Sequence, residues 1–241
     1  MELNRKHWAF TLAEVLIVLS IIGIISALTI PTVIKNTQNK ELESAFKKSY
    51  SNLIAAYNKA SIDNPRTDYT GTVNYYSELA EAIYAEFSIA KRISASESSD
   101  YVDKIRTYTF ESGLRPECSQ LFLHNGKAIK TASGSAVAIA YNCNFTWVTI
   151  DTNGIEKKPN AYGHDVFLFT ISNAGTLAPA STEAEMVCDE EGNCQYNNSP
   201  EAADKCSKNS ASAINGVTCA RYAIIDKCPD DSSKSYWECL P

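Results

Sequence analysis

The stretch "AFTLAEVLIVLSIIGIISALTIP", residues 9–31, limits what this chain can be more than any other. From position 8 to position 34 the only charged residue is Glu14. A bilayer span needs roughly 20 apolar residues, so the run is long enough to cross one. A lone carboxylate near one end of such a run has two readings. It reaches the membrane interface, or it meets a positive partner that this chain does not supply.

The flanks set the topology. Arg5 and Lys6 precede the apolar run directly, which by the positive-inside rule keeps the N-terminus in the cytoplasm and translocates the bulk of the chain. No small-x-small site stands out after the run, so it does not read as an ordinary secretory signal. One helical face then continues through Leu42, Phe46, Tyr50 (or Ser49), Leu53, Tyr57 and Ala60, with Lys40, Glu41, Glu43, Lys47, Lys48, Asn52 and Lys59 on the opposite face. Pro65 disfavours a helical Asn64 and should stop the pattern. A helix over residues 10–62 would be roughly 80 Å long at ~1.5 Å per residue. Pro31 should kink or loosen its first half.

Arg5-Lys6, a small Ala9, then Phe10-Thr11-Leu12, Glu14 and an apolar run ending at Pro31 resemble the N-terminus of the type IV pilin and type II secretion pseudopilin superfamily. The resemblance covers about the first 50 residues. Ala9 stands where glycine is usual, and Ala13 where isoleucine or valine is common. It implies a prepilin peptidase that cuts between Ala9 and Phe10 and methylates the new Phe10 amine. It also implies assembly through Phe10, Glu14 and Pro31, with Glu14 paired to the Phe10 amine of a neighbouring subunit in a filament. An unpaired carboxylate in hydrocarbon is costly, about 2.5 kcal/mol or more, so such pairing would both relieve that cost and set register. The implied fold is α+β and pilin-like, with the long helix packed on an antiparallel meander.

Within the head, Tyr76, Leu79, Ile83, Phe87 and Ala90 predict a second helix over residues 75–93. "SASESSD" reads as a loop. "KIRTYTF", "CSQLFLH", "GKAIKTA", "SAVAIAY", "FTWVTID" and "DVFLFTI" read as strands, with Asn125-Gly126 as a hairpin signal. The resulting division is a leader (1–9), a transmembrane and assembly helix (10–34), a pilin-like head (35–182) and a cysteine-rich C-terminal region (183–241).

All eight cysteines follow the apolar run: Cys118, Cys143, Cys188, Cys194, Cys206, Cys219, Cys228 and Cys239. An even count without a C-x-x-C pair suits disulfides in an exported domain better than a zinc site. Connectivity does not follow from spacing. Local bridges across 188–194, 206–219 and 228–239 are of closable length, which leaves Cys118 and Cys143.

One stretch, "DTNGIEKKPNAYGHD", carries a calcium-like opening in Asp151, Asn153 and a later Asp165. Tyr162 stands where an EF-hand needs glutamate, Lys157 and Lys158 oppose a cation, and Asp and Asn also stabilise turns through their own backbone. A turn is the favoured reading and no cofactor is expected, with calcium as the alternative.

The charge balance is −6, with no basic cluster beyond Lys47-Lys48 and Lys157-Lys158, so nucleic acid is not an expected partner. No nucleophile motif, phosphate loop or zinc-protease motif occurs, and His7, His124 and His164 are isolated. The expected protein is no enzyme. It is a structural pilin or pseudopilin, anchored once in the inner membrane with its head exported and then polymerised with sibling subunits. The alternatives are a minor tip pilin that serves adhesion or DNA uptake, and, less favoured, a membrane-anchored periplasmic enzyme.

Overall fold

The computed structural model describes residues 11–63, 73–102, 104–111, 128–142, 145–172, 175–180, 186–188, 194–196, 206–212 and 214–241. Helix α1 (Leu12–Asp63) has 52 residues and passes through Pro31. The proline stop expected at Asn64-Pro65 lies outside the described residues. The chain separates into two units, Met1–Lys40 and Glu41–Pro241.

In the first unit, the large apolar side chains of α1 are exposed, from Leu12 at 78% to Ile34 at 50%. Two hydroxyls inside this stretch are satisfied locally. Ser20 Oγ donates to the Leu16 carbonyl and Thr29 Oγ1 to the Ile25 carbonyl. A hydroxyl bonded to its own helix needs no water, which is what a hydrocarbon surround demands. Among the described residues, α1 is the one helix long and apolar enough to cross a membrane.

In the second unit the same helix turns one face inward, burying Phe46, Ser49, Leu53, Ala56, Tyr57 and Ala60. That face meets a six-stranded sheet of β1 (Ile89–Ile93), β2 (Ala128–Thr131), β3 (Ala136–Asn142), β4 (Phe145–Asp151), β5 (Val166–Ile171) and β6 (Leu177–Pro179). The strands lie in chain order, each antiparallel to the next. Alternation sorts their side chains. Ile129, Val137, Ile139, Val148, Ile150, Phe167, Phe169 and Ile171 join the helical face in one core cluster. Ala128, Ala136, Ala138, Ala140, Trp147, Val166 and Leu168 build a second cluster with Ile93, Tyr101 and Ile105. Both faces of the sheet are therefore covered, and truncating a side chain such as Phe46 to alanine costs about 3–5 kcal/mol.

Three expectations are corrected here. The second helix, α2 (Val73–Ala85), ends eight residues early, and 89–93 is the edge strand β1. The N–H groups of Glu86 and Phe87 bond the carbonyls of Ile83 and Tyr84, which tightens and closes the last turn. Pairing with β2 then overrides the helical spacing. "SASESSD" is mostly helix α3 (Ala95–Val102). Ser94 and Glu97 cap it reciprocally: Glu97 N–H donates to Ser94 Oγ, and Ser94 N–H donates to Glu97 Oε2. "KIRTYTF" forms no strand; Arg106 makes an isolated bridge to Ala161, and turns surround it. "CSQLFLH" and Asn125-Gly126 lie outside the described residues. The described β2–β3 connection turns instead at 132–135, where Gly134 adopts φ 95°.

Beyond β6, β7 (Met186–Cys188) and β8 (Cys194–Tyr196) form a separate two-stranded sheet. The chain ends in α4 (Ala220–Ile225) and a 3-10 turn (Trp237–Cys239). Residues 206–241 do not stand apart from the head. Cys206, Cys219, Ala220, Ala223, Tyr236, Trp237 and Leu240 all belong to the main core cluster.

Candidate functional site

The start of α1 is built as a cap. Thr11 N–H and Thr11 Oγ1 both donate to Glu14 Oε2, at 2.8 Å each. Glu14 N–H returns a bond to Thr11 Oγ1 at 3.2 Å. This is the Thr-x-x-Glu capping box, with Thr11 at the N-cap. A carboxylate there also lies at the positive end of the helix dipole. Sequence reasoning had singled out Glu14 and missed Thr11, although the threonine three residues earlier was a legible signal. Within 11–34 the carboxylate has only polar groups of its own turn for company, because that stretch contains no basic residue. Ala9 and Phe10 lie outside the described residues; Pro31 lies inside α1.

Asp151 and Asp165, from the end of β4 and the entry to β5, come together in the head, and both are fully buried. Asp151 accepts the Tyr101 hydroxyl at 2.5 Å and the N–H groups of Asn153 and Gly154 at 3.1 and 2.7 Å. Asp165 accepts the N–H groups of Asn160 and Ala161, each at 2.8 Å. Burial raises both carboxyls above the ordinary range, and the Asp151 charge raises Asp165 further. Asn153 Nδ2 donates to the Lys158 carbonyl. Asn153 Oδ1, Asn160 Oδ1 and Thr152 Oγ1 are buried without a protein partner. These are the hard oxygens that calcium takes. Yet the two carboxylates already accept five hydrogen bonds, four from loop N–H groups and one from the Tyr101 hydroxyl of α3. Among the described residues no three acidic, histidine or cysteine side chains form a ligand set.

Two disulfides staple the C-terminal region, Cys206–Cys219 and Cys228–Cys239. Cys188 and Cys194 stand opposite each other in the β7–β8 register. Cys118 and Cys143 lie outside the described residues. His164 is a packed residue, its Nε2 2.9 Å from the Tyr108 carbonyl and its ring beside Tyr108 and Phe110.

A long N-terminal helix, an antiparallel sheet laid against its second half and a disulfide-bonded C-terminal region define an α+β, pilin-like fold. The family model of the prokaryotic N-terminal methylation motif matches residues 6–30, so the chain carries the type IV pilin and pseudopilin signal. No curated protein and no solved structure was found to match the chain.

Proposed function

We propose that this protein is a structural subunit of a filament assembled at the inner membrane, either a type IV pilus or a type II secretion pseudopilus. A prepilin peptidase cuts between Ala9 and Phe10 and methylates the Phe10 amine. The N-terminus enters the membrane from the cytoplasm, the head is exported, and Glu14 pairs with the Phe10 amine of the next subunit. The observation that carries this reading is Glu14 itself, the only charge in the membrane-length apolar stretch 8–34, which overlaps the methylation motif and whose described large apolar side chains are exposed. Pairing across subunits relieves the cost of its charge and fixes axial register. The exported location accords with two disulfides in the head.

The test is Glu14→Ala. The variant should insert in membranes at least as well as the parent, since an apolar residue is cheaper there. It should be absent from sheared or pelleted filaments. Normal incorporation would leave interfacial tolerance as the reason for Glu14.

For the 151–165 loop we propose a purely structural role, with its two carboxylates held by N–H and O–H donors and no resident cation. Chelator should leave the melting temperature of the purified protein unchanged. A fall that calcium restores would instead assign Asp151, Asp165 and the partnerless oxygens of Asn153, Asn160 and Thr152 to a cation, because a ligand that binds only the folded state stabilises it.

A further inference from the structure

Residues 206–241 pack as one piece whose internal ties differ in kind from its ties to the head. Both disulfides close loops within it and neither reaches the sheet. The two loops are joined to each other by Asp230, which accepts Ser207 Oγ at 2.5 Å and the Lys208 N–H at 3.0 Å. Asn215 braces the first loop through bonds to Ser207 and Ser210.

The ties to the head are non-covalent. The Trp237 ring lies 5.5 Å from Phe46 of α1 and 6.1 Å from Phe167 of β5. The Tyr236 hydroxyl donates to the Gly163 carbonyl, and the Tyr108 N–H to the Asn215 carbonyl. Piece and head also interlock at two glycines. A methyl on Gly163 would sit 2.7 Å from Cys219 Sγ, and one on Gly216 would sit 2.5 Å from Tyr162 Cβ. The sheet keeps further support without this piece. Its other face forms a cluster in which 206–241 contributes only Val217, at the margin.

We infer that residues 206–241 form a thiol-controlled strap. With both loops oxidised the strap is shaped to fit and seals the aromatic face of Phe46 and Phe167. With the loops reduced it lifts away and uncovers that face while the sheet stays folded. Closure of each loop is a thiol–disulfide exchange. Two cysteine thiols release two protons and two electrons to the disulfide of an oxidant protein, which leaves as a dithiol, by way of a mixed disulfide. A dithiol reductant runs the same step backwards, reaching the four sulfurs, which are buried in the closed head, when the strap transiently opens. The physical cause is entropy: each bridge removes conformations from the open strap, and the packing that seats the strap is sufficient only once they are gone. The head then finishes closing only on the oxidising side of a membrane.

The test is amide hydrogen exchange on the full chain in detergent, read by mass spectrometry. The parent is compared with Cys206→Ser/Cys219→Ser and Cys228→Ser/Cys239→Ser. In each paired variant, amides of 206–241 should exchange at least about tenfold faster, while those of β3, β4 and β5 stay within about twofold of the parent, as local opening requires. Strap amides that stay as protected as in the parent would overturn the inference, because packing alone would then suffice. So would strap and sheet amides losing protection together, or variants that do not fold, because the piece would then be inseparable from the core. A second measurement starts from folded parent. After addition of dithiothreitol the strap amides should open before those of β4; simultaneous opening counts against the strap.

Discussion

Glu14 Oε2 sits 2.8 Å from both the backbone nitrogen and the hydroxyl of Thr11, so the one carboxylate of the apolar segment is held by its own helix. On the proposed filament reading, this would give a lone subunit in the membrane a way to shelter the charge before a neighbour offers an amine. It also aims the carboxylate at the N-terminal end of the helix, where the Phe10 amine of another copy would arrive.

Thr11 should therefore act on Glu14 as a positioning residue. Loss of an N-cap costs about 1 kcal/mol, roughly a fivefold change in an equilibrium. Thr11→Ala should lower filament incorporation by about that factor, while Thr11→Ser, which keeps the hydroxyl, should assemble like the parent. Immunoblots of sheared filaments measure it. Equal incorporation of all three would show that Thr11 has no part in presenting Glu14.

Processing is open to direct measurement. Mass spectrometry of the membrane-extracted protein should find a chain that begins at an N-methylated Phe10. Ala9→Gly should be cut at least as well, and a bulky Ala9→Val should accumulate uncut. An intact Met1, or a cut after Ala27, contradicts the pilin reading.

Gly216 has φ 109° and its Cα faces Tyr162 at close quarters. Gly216→Ala adds both backbone strain and an overlap with Tyr162 Cβ, and overpacking of that kind costs about 1–3 kcal/mol. The melting temperature should fall although both described disulfides can still form. Alanine at the open turn position Gly134, whose Cβ would meet nothing within 4 Å, should cost only the strain of its own φ of 95°. A larger fall for Gly134→Ala than for Gly216→Ala would refute the packing argument.

The buried Asp151–Asp165 pair predicts a pH dependence with a definite sign. Each carboxyl is raised in the folded state, so each contributes stability that is present at low pH and lost as pH rises through the folded value. The window runs from about 4, the unfolded carboxylate range, to about 7, the value to which Asp165 is raised. Asp165→Asn removes one titrating group together with its repulsion against the Asp151 charge. The variant starts less stable, because an amide cannot accept from both Asn160 and Ala161. Its melting temperature should then fall less between pH 5 and pH 8 than that of the parent. An equal or steeper fall would show that the pair does not titrate in this window.

The sequence by itself determined the features that depend on local period and composition. The apolar run and the amphipathic continuation to Asp63 appear in one helix because each is written within a few residues of where it acts. Strands β2 to β5 were legible for the same reason, since short runs of apolar, β-branched and aromatic residues bounded by turn residues are a local property. Glu14 was legible as an anomaly, and Thr11 should have been, because a capping box spans only three residues. Tertiary structure decided the rest. "IAKRI" has helical spacing but becomes β1, because it completes the edge of a sheet whose partner, β2, lies some forty residues later in the chain. Asp151 and Asp165 carry both a turn and a calcium reading in the sequence; the fold brings the Tyr101 hydroxyl and four backbone N–H groups to them, partners that their own stretch does not fully contain. The C-terminal region looked like a polar, stapled appendage by composition. Two of its aromatic residues, Tyr236 and Trp237, find Gly163, Phe46 and Phe167 far away in the sequence, and burial against distant partners is a property that no local window of sequence contains.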